Sequence, residues 1–331
     1  MYNITLIKGD GIGPEVSMAT KKIINATGID INWDVVNAGK KVFEETGKLI
    51  PDNVYESIER NKIALKGPIT TPIGTGFRSI NVHLRKKYEL YANIRPIQSM
   101  KNTKSRYDNI DFTIFRENTE GLYIGIENKI SEDEIEAIKK VTRKGSERII
   151  RKAFEYAKNN SINVVTVAHK ANILKLADGL FLDIARSISK EYDSILLDEV
   201  IIDNLCMQLV MNPQQYKVIV TMNLYGDIIS DLGAGLIGGL GLVPGANIGE
   251  DISIFEAVHG SAPDIAGKNI ANPTALLKSG IMMLKSLNEI EKAKKIEKAL
   301  LKVYSKGAIL TKDLGGRATT AEFTEAIINE L

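Results

Sequence analysis

Hydrophobic and polar positions follow two different periods along most of this chain. Short apolar runs rich in Val and Ile predict strands, and longer stretches with apolar positions every three to four residues predict helices. Strands that alternate with helices in this way indicate an α/β fold. The predicted strands are residues 3–7, 31–36, 62–65, 111–115, 162–167, 195–201 and 217–221. The predicted helices are residues 14–26, 52–60, 133–159, 171–190, 226–238, 273–287 and 289–305.

Composition narrows the class of protein. The chain has 331 residues, of which 44% are hydrophobic and 25% charged, as in an ordinary globular enzyme of two domains or one split architecture. A net charge of +2 gives no general attraction for nucleic acid. The most apolar long stretch, residues 232–248, is too short and too interrupted by glycine for a membrane span. We therefore expect neither nucleic acid nor a membrane as a partner.

A pair of aspartates lies in the segment 223–241. Asp227 and Asp231 are four residues apart, so on a helix they share one face, among apolar neighbours. Two carboxylates repel there and lose water, and a divalent cation bound by both removes that conflict. Hard oxygen ligands suit Mg²⁺ or Mn²⁺. The alternative is that Asp227 only caps a helix after Gly226 while Asp231 points to solvent.

A glycine loop follows the first predicted strand, in residues 8–15. Its glycines are Gly9, Gly11 and Gly13, and Pro14 stands where the Rossmann dinucleotide motif requires another glycine. The loop also lacks the lysine of a phosphate-binding Walker motif, which argues against a phosphate-transfer enzyme. We therefore expect the backbone to approach another group closely here, without a standard Rossmann site.

Three arginines follow turn-forming residues: Arg85, Arg95 and Arg116. Guanidinium groups bind carboxylates through two parallel hydrogen bonds, so three of them together suit a substrate with several carboxylates. For any one arginine alone, a surface ion pair is the simpler interpretation. Tyr123 and Lys170 are candidate proton carriers by their chemistry.

Taken together, these segments resemble the β-decarboxylating dehydrogenases, the family of isocitrate, isopropylmalate and homoisocitrate dehydrogenases. The resemblance covers essentially the whole chain. The aspartate and glycine run matches the family signature, and four further segments match in the same order: residues 9–15, 84–96, 116–121 and 259–273.

The resemblance implies an α/β fold that is not a Rossmann fold. A large discontinuous domain is expected from residues 1–98 and 250–331, whose two parts pack together on the cofactor side. A smaller domain, residues 99–249, is expected to hold the dimer interface and the metal-binding aspartates.

The resemblance also implies roles for the acids and the proton carriers. Asp227 and Asp231 match the metal-binding pair, and Asp203 matches an acid that the neighbouring chain of the dimer supplies to the same metal. Lys170 matches a catalytic lysine that crosses the dimer interface, and Tyr123 matches the catalytic tyrosine on the other side of the substrate. Such a site requires an obligate homodimer with shared active sites, which a higher oligomer would retain.

The expected substrate follows from the segment before Arg85. Family members that oxidise isocitrate carry a Ser-x-Asn-x-x-x-Arg pattern, which Ser79, Asn81 and Arg85 reproduce. Serine and asparagine pair with a third carboxylate, whereas an isopropyl group would leave them unsatisfied. Arg95 and Arg116 complete the expected substrate-binding set. We therefore expect isocitrate, with 3-isopropylmalate or homoisocitrate as the alternative.

The resemblance places the cofactor against residues 259–272. NADP-dependent members have lysine and tyrosine where this chain has Asp264 and Ile265. An aspartate accepts hydrogen bonds from both ribose hydroxyls and repels a 2′-phosphate, so NAD is expected. The other expected cofactor-binding residues are Thr70 and Thr71 near the nicotinamide, and His259, Gly260 and Asn272 around the adenosine.

The implied activity is the metal-dependent oxidative decarboxylation of isocitrate to 2-oxoglutarate and CO₂, with reduction of NAD. Lys170 assists removal of the hydroxyl proton, and Tyr123 protonates the enol carbon. A non-catalytic regulatory chain of the same family is the less favoured alternative, because such a chain is expected to lose some of these groups. The chain enters its first strand at once and has no secretory leader, which predicts a cytoplasmic protein.

Overall fold

The computed structural model describes residues 1–70 and 79–331, and one mixed ten-stranded sheet forms the centre of the molecule. The strands are β1 (Tyr2–Ile7), β2 (Ile31–Val36), β3 (Ile63–Lys66), β4 (Ala92–Gln98), β5 (Asp111–Glu117), β6 (Glu127–Lys129), β7 (Ile135–Ala137), β8 (Val164–His169), β9 (Leu196–Ile201), β10 (Val218–Thr221), β11 (Pro244–Ile248) and β12 (Ser253–Ala257). The α-helices are α1 (Gly13–Ala26), α2 (Lys40–Thr46), α3 (Asp52–Asn61), α4 (Ile80–Lys87), α5 (Arg143–Asn159), α6 (Ala177–Ser189), α7 (Ile202–Met211), α8 (Asn223–Ile237), α9 (Thr274–Ser286), α10 (Ile290–Lys306) and α11 (Thr320–Ile328).

The sheet has the strand order β2-β1-β3-β12-β11-β4-β5-β10-β8-β9. The first four strands are mutually parallel, and so are the last four. Antiparallel β11 and β4 join the two blocks, which therefore run in opposite directions. This order differs from that of a Rossmann sheet, as predicted.

Segments from the two ends of the chain lie side by side in the fold. β12 inserts between β3 and β11, and α1 packs against both α9 and α11. On the other half of the sheet, α5 packs on β5 and β10, and α6 packs on β8. The sheet is continuous through both halves, so the division at residues 98 and 250 stays a prediction. Within residues 1–70 and 79–331, no helix is long and apolar enough to cross a membrane.

Two predicted helices begin later than expected. The helix predicted from residue 133 begins at Arg143, because the Thr142 hydroxyl accepts the Gly145 N–H at 3.1 Å and caps it there. The residues before it instead form an exposed hairpin of β6 and β7. The helix predicted from residue 171 begins at Ala177.

The central strands β4 and β11 were not predicted, and neither were β12, α2, α7 and α11. β4 contains buried Asn93 and Arg95 beside Pro96, and β11 contains buried Asn247. These polar residues interrupt the apolar pattern by which a buried strand is found. They face the candidate site described below. The polar residues of the site therefore break the apolar pattern from which these strands would have been predicted.

Lys278 on α9 is a buried cation in the core behind the sheet. It is 9% exposed, and its Nζ has no hydrogen-bond partner within the part of the chain that the structure describes. Burial lowers the pKa of Lys278 to about 8, although Glu297 and Asp111 act in the opposite direction. Keeping this charge in the core therefore costs stability at neutral pH.

We expect Lys278→Met to stabilise the fold at pH 7. The difference between 10.5 and about 8 corresponds to about 3 kcal/mol of unfolding free energy. Between these pH values the unfolded chain holds a proton that the folded chain has lost, so wild-type stability rises with pH and the variant lacks that rise. Denaturant unfolding at pH 7 and pH 10 measures both effects. Lys285→Met is the matched control on the same helix, since Lys285 is exposed and pairs with Glu297 at 3.2 Å; an equal gain in both variants would contradict the prediction.

Candidate active site

A cavity of ≈ 300 Å³ lies over the centre of the sheet. It is lined from both halves of the sheet, by side chains of β3, β4, β5 and β12 and of the helices α4 and α8. The structure brings together here the five predicted substrate-binding residues, the predicted catalytic tyrosine and one predicted metal ligand. They are Ser79, Asn81, Arg85, Arg95, Arg116, Tyr123 and Asp227.

Strand register aligns the polar floor of this cavity. Lys66 on β3 is opposite Glu256 on β12, and Asn93 on β4 is opposite Arg116 on β5. Residues in register on neighbouring strands project to the same face of a sheet. The middle of the sheet therefore presents polar and charged side chains from separate segments to one space.

All three arginines have carboxylate partners, and two of them, Arg85 and Arg95, keep an unmet donor. Arg116 forms an ion pair with Asp227, and Arg95 Nη1 lies 3.4 Å from Asp227 Oδ1. Arg85 Nη2 lies 3.5 Å from Oε1 of Glu256. The Nε atoms of Arg85 and Arg95 are buried without a hydrogen-bond partner among the described residues. The cavity therefore holds guanidinium groups that can still bind an anion.

The same groups crowd positive charge. Burial, together with the nearby Arg95 and Arg85, lowers the pKa of Arg116 to about 10. Burial also lowers the pKa of Arg95, with Arg85 acting in the same direction. An anion with several carboxylates would relieve this repulsion and supply the missing acceptors.

Asp227 and Asp231 lie on α8, as predicted, in different surroundings. Burial alone would raise the pKa of Asp227, but Arg116, a hydrogen bond from Tyr123 and Arg95 together hold it below its usual value. The side chain of Asp231 is 62% exposed, with Oδ1 4.0 Å from Nη1 of Arg95. Burial raises the pKa of Asp231, and Asp227 adds to that effect against the opposing Arg95. Asp227 therefore does not act as the cap of α8, which begins at Asn223.

The donor set fits part of a site for a hard divalent cation. Two carboxylates one helical turn apart offer oxygen ligands of the right kind. The described residues of a single chain contain no cluster of three or more acidic, histidine or cysteine side chains that could hold a metal ion. Further oxygen ligands would come from water, a substrate or a second chain.

Tyr123 lies in a short 3₁₀ turn, Leu122–Ile124, at the edge of the cavity. Its hydroxyl donates to Oδ2 of Asp227 at 2.5 Å, and its ring centroid is 5.0 Å from the guanidinium of Arg116. Burial and then the hydrogen bond to Asp227 raise the pKa of Tyr123, against the opposing Arg116. The phenol therefore keeps its proton at neutral pH, as a proton donor must.

Lys170 and Asp203 lie outside this cavity and pair with each other. Lys170 Nζ donates to a carboxylate oxygen of Asp203, and the Asp203 side chain is 69% exposed. Neither residue lines the cavity that contains Tyr123 and Asp227. One chain therefore presents two separate groups of predicted catalytic residues.

A second cavity, of ≈ 710 Å³, adjoins the first and shares His259 and Gly260 with it. Ile265 and Asn272 also line it. The Nε2 atom of His259 is buried without a hydrogen-bond partner among the described residues, which leaves an unmet polar group beside this space. Asp264 is exposed and does not line the cavity.

Of the two threonines expected near the nicotinamide, Thr70 donates its N–H to Asp10 Oδ2 at 2.9 Å, and its hydroxyl lies 2.6 Å from that of Ser261. Thr71 lies outside the described residues. The glycine loop fixes this corner, since Gly9 and Gly11 have positive φ and an added Cβ would meet the carbonyl oxygens of Pro68 and Ser261. The glycines therefore allow the loop to approach the backbone of other segments of the protein closely.

Sequence reasoning missed the acid at the base of the cavity. Glu256 accepts hydrogen bonds from Lys66 Nζ at 2.6 Å and from Asn247 at 2.7 Å. Burial opposes its ionisation, but Lys66 and Arg85 outweigh burial and lower the pKa of Glu256 to about 2. The available signal was an acid inside the apolar run 253–257, just before His259.

The fold and the site together define a class. The chain belongs to the isocitrate/isopropylmalate dehydrogenase family, whose model matches residues 3–327. The α/β architecture and the family resemblance predicted from the sequence are both confirmed.

Individual relatives indicate which enzyme within this family the chain is similar to. The chain is 50% identical to "Isocitrate dehydrogenase [NAD] catalytic subunit 5, mitochondrial" of Arabidopsis thaliana, over 99% of this chain and 88% of the relative. It is 52% identical to a protein of Dictyostelium discoideum that is named as a mitochondrial regulatory subunit of NAD-dependent isocitrate dehydrogenase, over 100% of this chain and 92% of the relative. A crystal structure of isocitrate dehydrogenase from Methylococcus capsulatus matches with a TM-score of 0.95 and 52% identity, over 100% of this chain and 99% of that chain.

These comparisons confirm the resemblance to NAD-dependent isocitrate dehydrogenases and the prediction that the chain is an enzyme of this family. They contradict the predicted cytoplasmic location, because the relatives from Arabidopsis and Dictyostelium are named as mitochondrial proteins. The error came from the start of the chain, since a sequence that enters a strand at once does not identify a compartment. The relatives include both catalytic and regulatory chains, so their names do not separate these two roles.

Proposed function

We propose that this chain is a catalytic NAD-dependent isocitrate dehydrogenase, which oxidises isocitrate and decarboxylates it to 2-oxoglutarate. The observation that supports this most is the convergence of Arg85, Arg95 and Arg116 with Tyr123 and Asp227 in one cavity. Isocitrate has three carboxylates, which match the three guanidinium groups that line the cavity, two of which, Arg85 and Arg95, have an Nε without a partner among the described residues. The relatives named above act on the same substrate by name.

The choice between isocitrate and 3-isopropylmalate rests on Ser79 and Asn81. Both residues line the cavity. A distal carboxylate would accept from the Ser79 hydroxyl and the Asn81 amide, whereas an isopropyl group would leave both unpaired at a cost of about 1–3 kcal/mol each. The polar lining therefore favours isocitrate.

We propose NAD as the cofactor, bound from the substrate cavity into the adjoining larger one. The shared residues His259 and Gly260 mark the junction, and Ile265 and Asn272 line the adenosine side. Asp264, which is exposed and directly precedes Ile265, would accept from the ribose hydroxyls and repel a 2′-phosphate. The cofactor supplies the hydride acceptor, and these residues orient it.

Asp227 and Asp231 would hold Mg²⁺ or Mn²⁺, with Asp203 of a second chain as a further ligand. A bound divalent cation supplies Lewis-acid stabilisation of negative charge on the substrate oxygens. The arginines then hold the carboxylates, Lys170 takes part in removing the hydroxyl proton, and Tyr123 delivers a proton to the enol carbon. Asp227 lies within reach of both Arg116 and Tyr123, which couples this ligand to the substrate-binding groups.

We propose that two chains complete each site. Asp203, Met207, Val210 and Met211 lie at helical spacing on one exposed face of α7, and Leu176 in the loop after Lys170 is 90% exposed. Exposed apolar side chains around an ion pair are typical of an interface. A second copy seated there would bring Lys170 and Asp203 to its partner's cavity. The names of the relatives, which distinguish catalytic from regulatory subunits, support association between different chains of this family as well.

The proposal of a catalytic chain rests on the completeness of the site. The chain contains all five expected catalytic and metal-binding residues: Tyr123, Lys170, Asp203, Asp227 and Asp231. A regulatory chain has no requirement to keep all five. Turnover by the purified chain alone distinguishes the two roles.

We expect Tyr123→Phe to slow decarboxylation more than hydride transfer. The change removes the proton donor but keeps the ring beside Arg116, so proton delivery should fall by about 10²–10⁴-fold. The two partial reactions are measured separately, as NAD reduction with isocitrate and as decay of the added β-keto acid. Tyr91→Phe is the matched control, because that ring also lies against an arginine, 4.7 Å from Arg148, outside the cavity. Equal losses in both partial reactions would refute the role of Tyr123.

A further inference from the structure

Asp178, in the first turn of α6, is a fully buried carboxylate outside the cavity just described. It is 0% exposed, yet none of the proposed catalytic steps uses it. Its Oδ1 forms an ion pair with Lys139, and its Oδ2 accepts from the Tyr225 hydroxyl at 3.1 Å. Oδ2 also accepts the backbone N–H of Lys170 at 2.8 Å. Both oxygens are therefore engaged by donors from three separate segments.

Each of these segments contains, or pairs with a turn that contains, a residue of the proposed active site. Lys170 itself follows β8, and Tyr225 precedes Asp227 by two residues on α8. Lys139 precedes Lys140, whose backbone pairs with Gly121 in the turn before Tyr123. One buried carboxylate thus ties together the loop of Lys170, the helix of Asp227 and the turn of Tyr123.

The cost of burying the Asp178 carboxylate favours a fixed arrangement of its three donors. A buried carboxylate without partners is strongly disfavoured, so the three donors cannot leave singly without cost. Hydrogen bonds to an ionised acceptor are also stronger than neutral ones. The ammonium of Lys139 lies 4.7 Å from the centroid of the Tyr225 ring, which couples two of the donors directly. The group is therefore suited to hold backbone positions rather than to react.

We propose that Asp178 is a positioning residue that fixes the loop of Lys170, so that the Lys170 side chain reaches the partner chain's active site. This inference rests on the proposed function, in which Lys170 serves the site of the other chain. Asp178 holds the backbone of Lys170 from the protein interior, while the Lys170 side chain extends to exposed Asp203. Loosening the backbone would misplace the ammonium by an ångström or more, without removing any group from the substrate cavity.

We expect Asp178→Asn to lower kcat by about 10–100-fold while changing KM for isocitrate by less than about threefold. Tyr225→Phe removes one hydrogen bond to the same carboxylate and keeps the ion pair, so it should fold even if Asp178→Asn does not. Its kcat should fall by about fivefold. Asp183→Asn, an exposed aspartate on the same helix, is the matched control and should leave kcat unchanged.

The decisive experiment uses hybrid dimers, made by co-expressing two differently tagged variants and purifying through both tags. In a Tyr123→Phe/Asp178→Asn hybrid, the chain with Phe at 123 receives its Lys170 from the chain with Asn at 178, so one site has both defects. The other site combines an intact Tyr123 with an intact Asp178 and has no defect. About half of wild-type activity should therefore return. If Asp178 acted within its own chain's cavity, each site would carry one defect and the hybrid would stay inactive. The Tyr123→Phe/Asp227→Asn hybrid, with both changes in the cavity, is the inactive reference.

A Lys170→Met/Tyr123→Phe hybrid separates the two proposals. If it recovers activity and the Asp178 hybrid does not, the role of Asp178 is wrong and the shared site stands. If it stays inactive, sharing of the site itself fails. If the proposal holds, the double variant Asp178→Asn/Lys170→Met is no slower than Lys170→Met alone, because Asp178 acts through Lys170. A further loss in the double variant would overturn the inference.

Discussion

Replacing Asp227 by asparagine is expected to abolish nearly all turnover and to weaken Mn²⁺ binding. Asp227 is the acid that contacts both Arg116 and Tyr123, and it is one of the two carboxylates that α8 offers to a cation. A Lewis acid contributes several kcal/mol to stabilising transition-state charge. Loss of about 4 kcal/mol corresponds to roughly a thousandfold in rate.

Two readouts separate this effect from damage to the fold. Titration of Mn²⁺ into the protein, followed by electron paramagnetic resonance, reports metal binding without any turnover. Asp193→Asn, a change of the same chemistry at an exposed position, should behave as wild type in both assays. A variant at Asp227 that binds Mn²⁺ as tightly as wild type would contradict the proposed ligand.

The double substitution Asp264→Lys/Ile265→Tyr is expected to reverse the choice of cofactor. Asp264 is exposed and directly precedes Ile265, which lines the larger cavity. Loss of charge-assisted hydrogen bonds to the ribose should cost about 1.5–3 kcal/mol, or roughly 10–100-fold in kcat/KM with NAD. A lysine in place of the aspartate replaces repulsion of the 2′-phosphate with attraction, so kcat/KM with NADP should rise by a similar factor.

The ratio of kcat/KM for NAD and NADP measures this prediction, and dissociation constants from fluorescence titration of the two reduced cofactors check it without turnover. Lys268→Met is the control in the same loop: Lys268 Nζ donates to the backbone carbonyl of Asp264 at 2.7 Å and has no place in the proposed recognition of the 2′-phosphate. An unchanged preference for NAD in the double variant would show that other residues select the cofactor.

Several of the predicted site residues line one cavity, although strands that carry some of them were not predicted. The helical spacing of Asp227 and Asp231 is confirmed by α8, which carries both, and their role as metal ligands stays a prediction. Glu256 and Asn247 were missed because each is a polar residue inside a buried strand, where periodicity expects an apolar one. Their burial is stabilised by partners from distant segments, Lys66 on β3 and Asn93 on β4, which local patterns do not contain.

Long-range pairing also accounts for the errors in element boundaries. The apolar positions in residues 133–142 suggested a helix, but Ile135 and Ile138 are exposed in the structure and belong to the hairpin segment. An exposed apolar residue leaves the same sequence signal as a buried one. Lys170 and Asp203 illustrate the same limit for function: residue chemistry marks them as candidates, but neither lines the cavity of its own chain, and the role proposed for them requires a second chain.

The most direct test of the proposed function is turnover by the purified chain alone. D-isocitrate and 3-isopropylmalate are each supplied with NAD or NADP, with Mg²⁺ and then with excess chelator. We predict NAD reduction with isocitrate only, abolished by the chelator and restored by added Mg²⁺. Turnover of 3-isopropylmalate in place of isocitrate would contradict the role given to Ser79 and Asn81, and absence of turnover with every pair would contradict a catalytic chain.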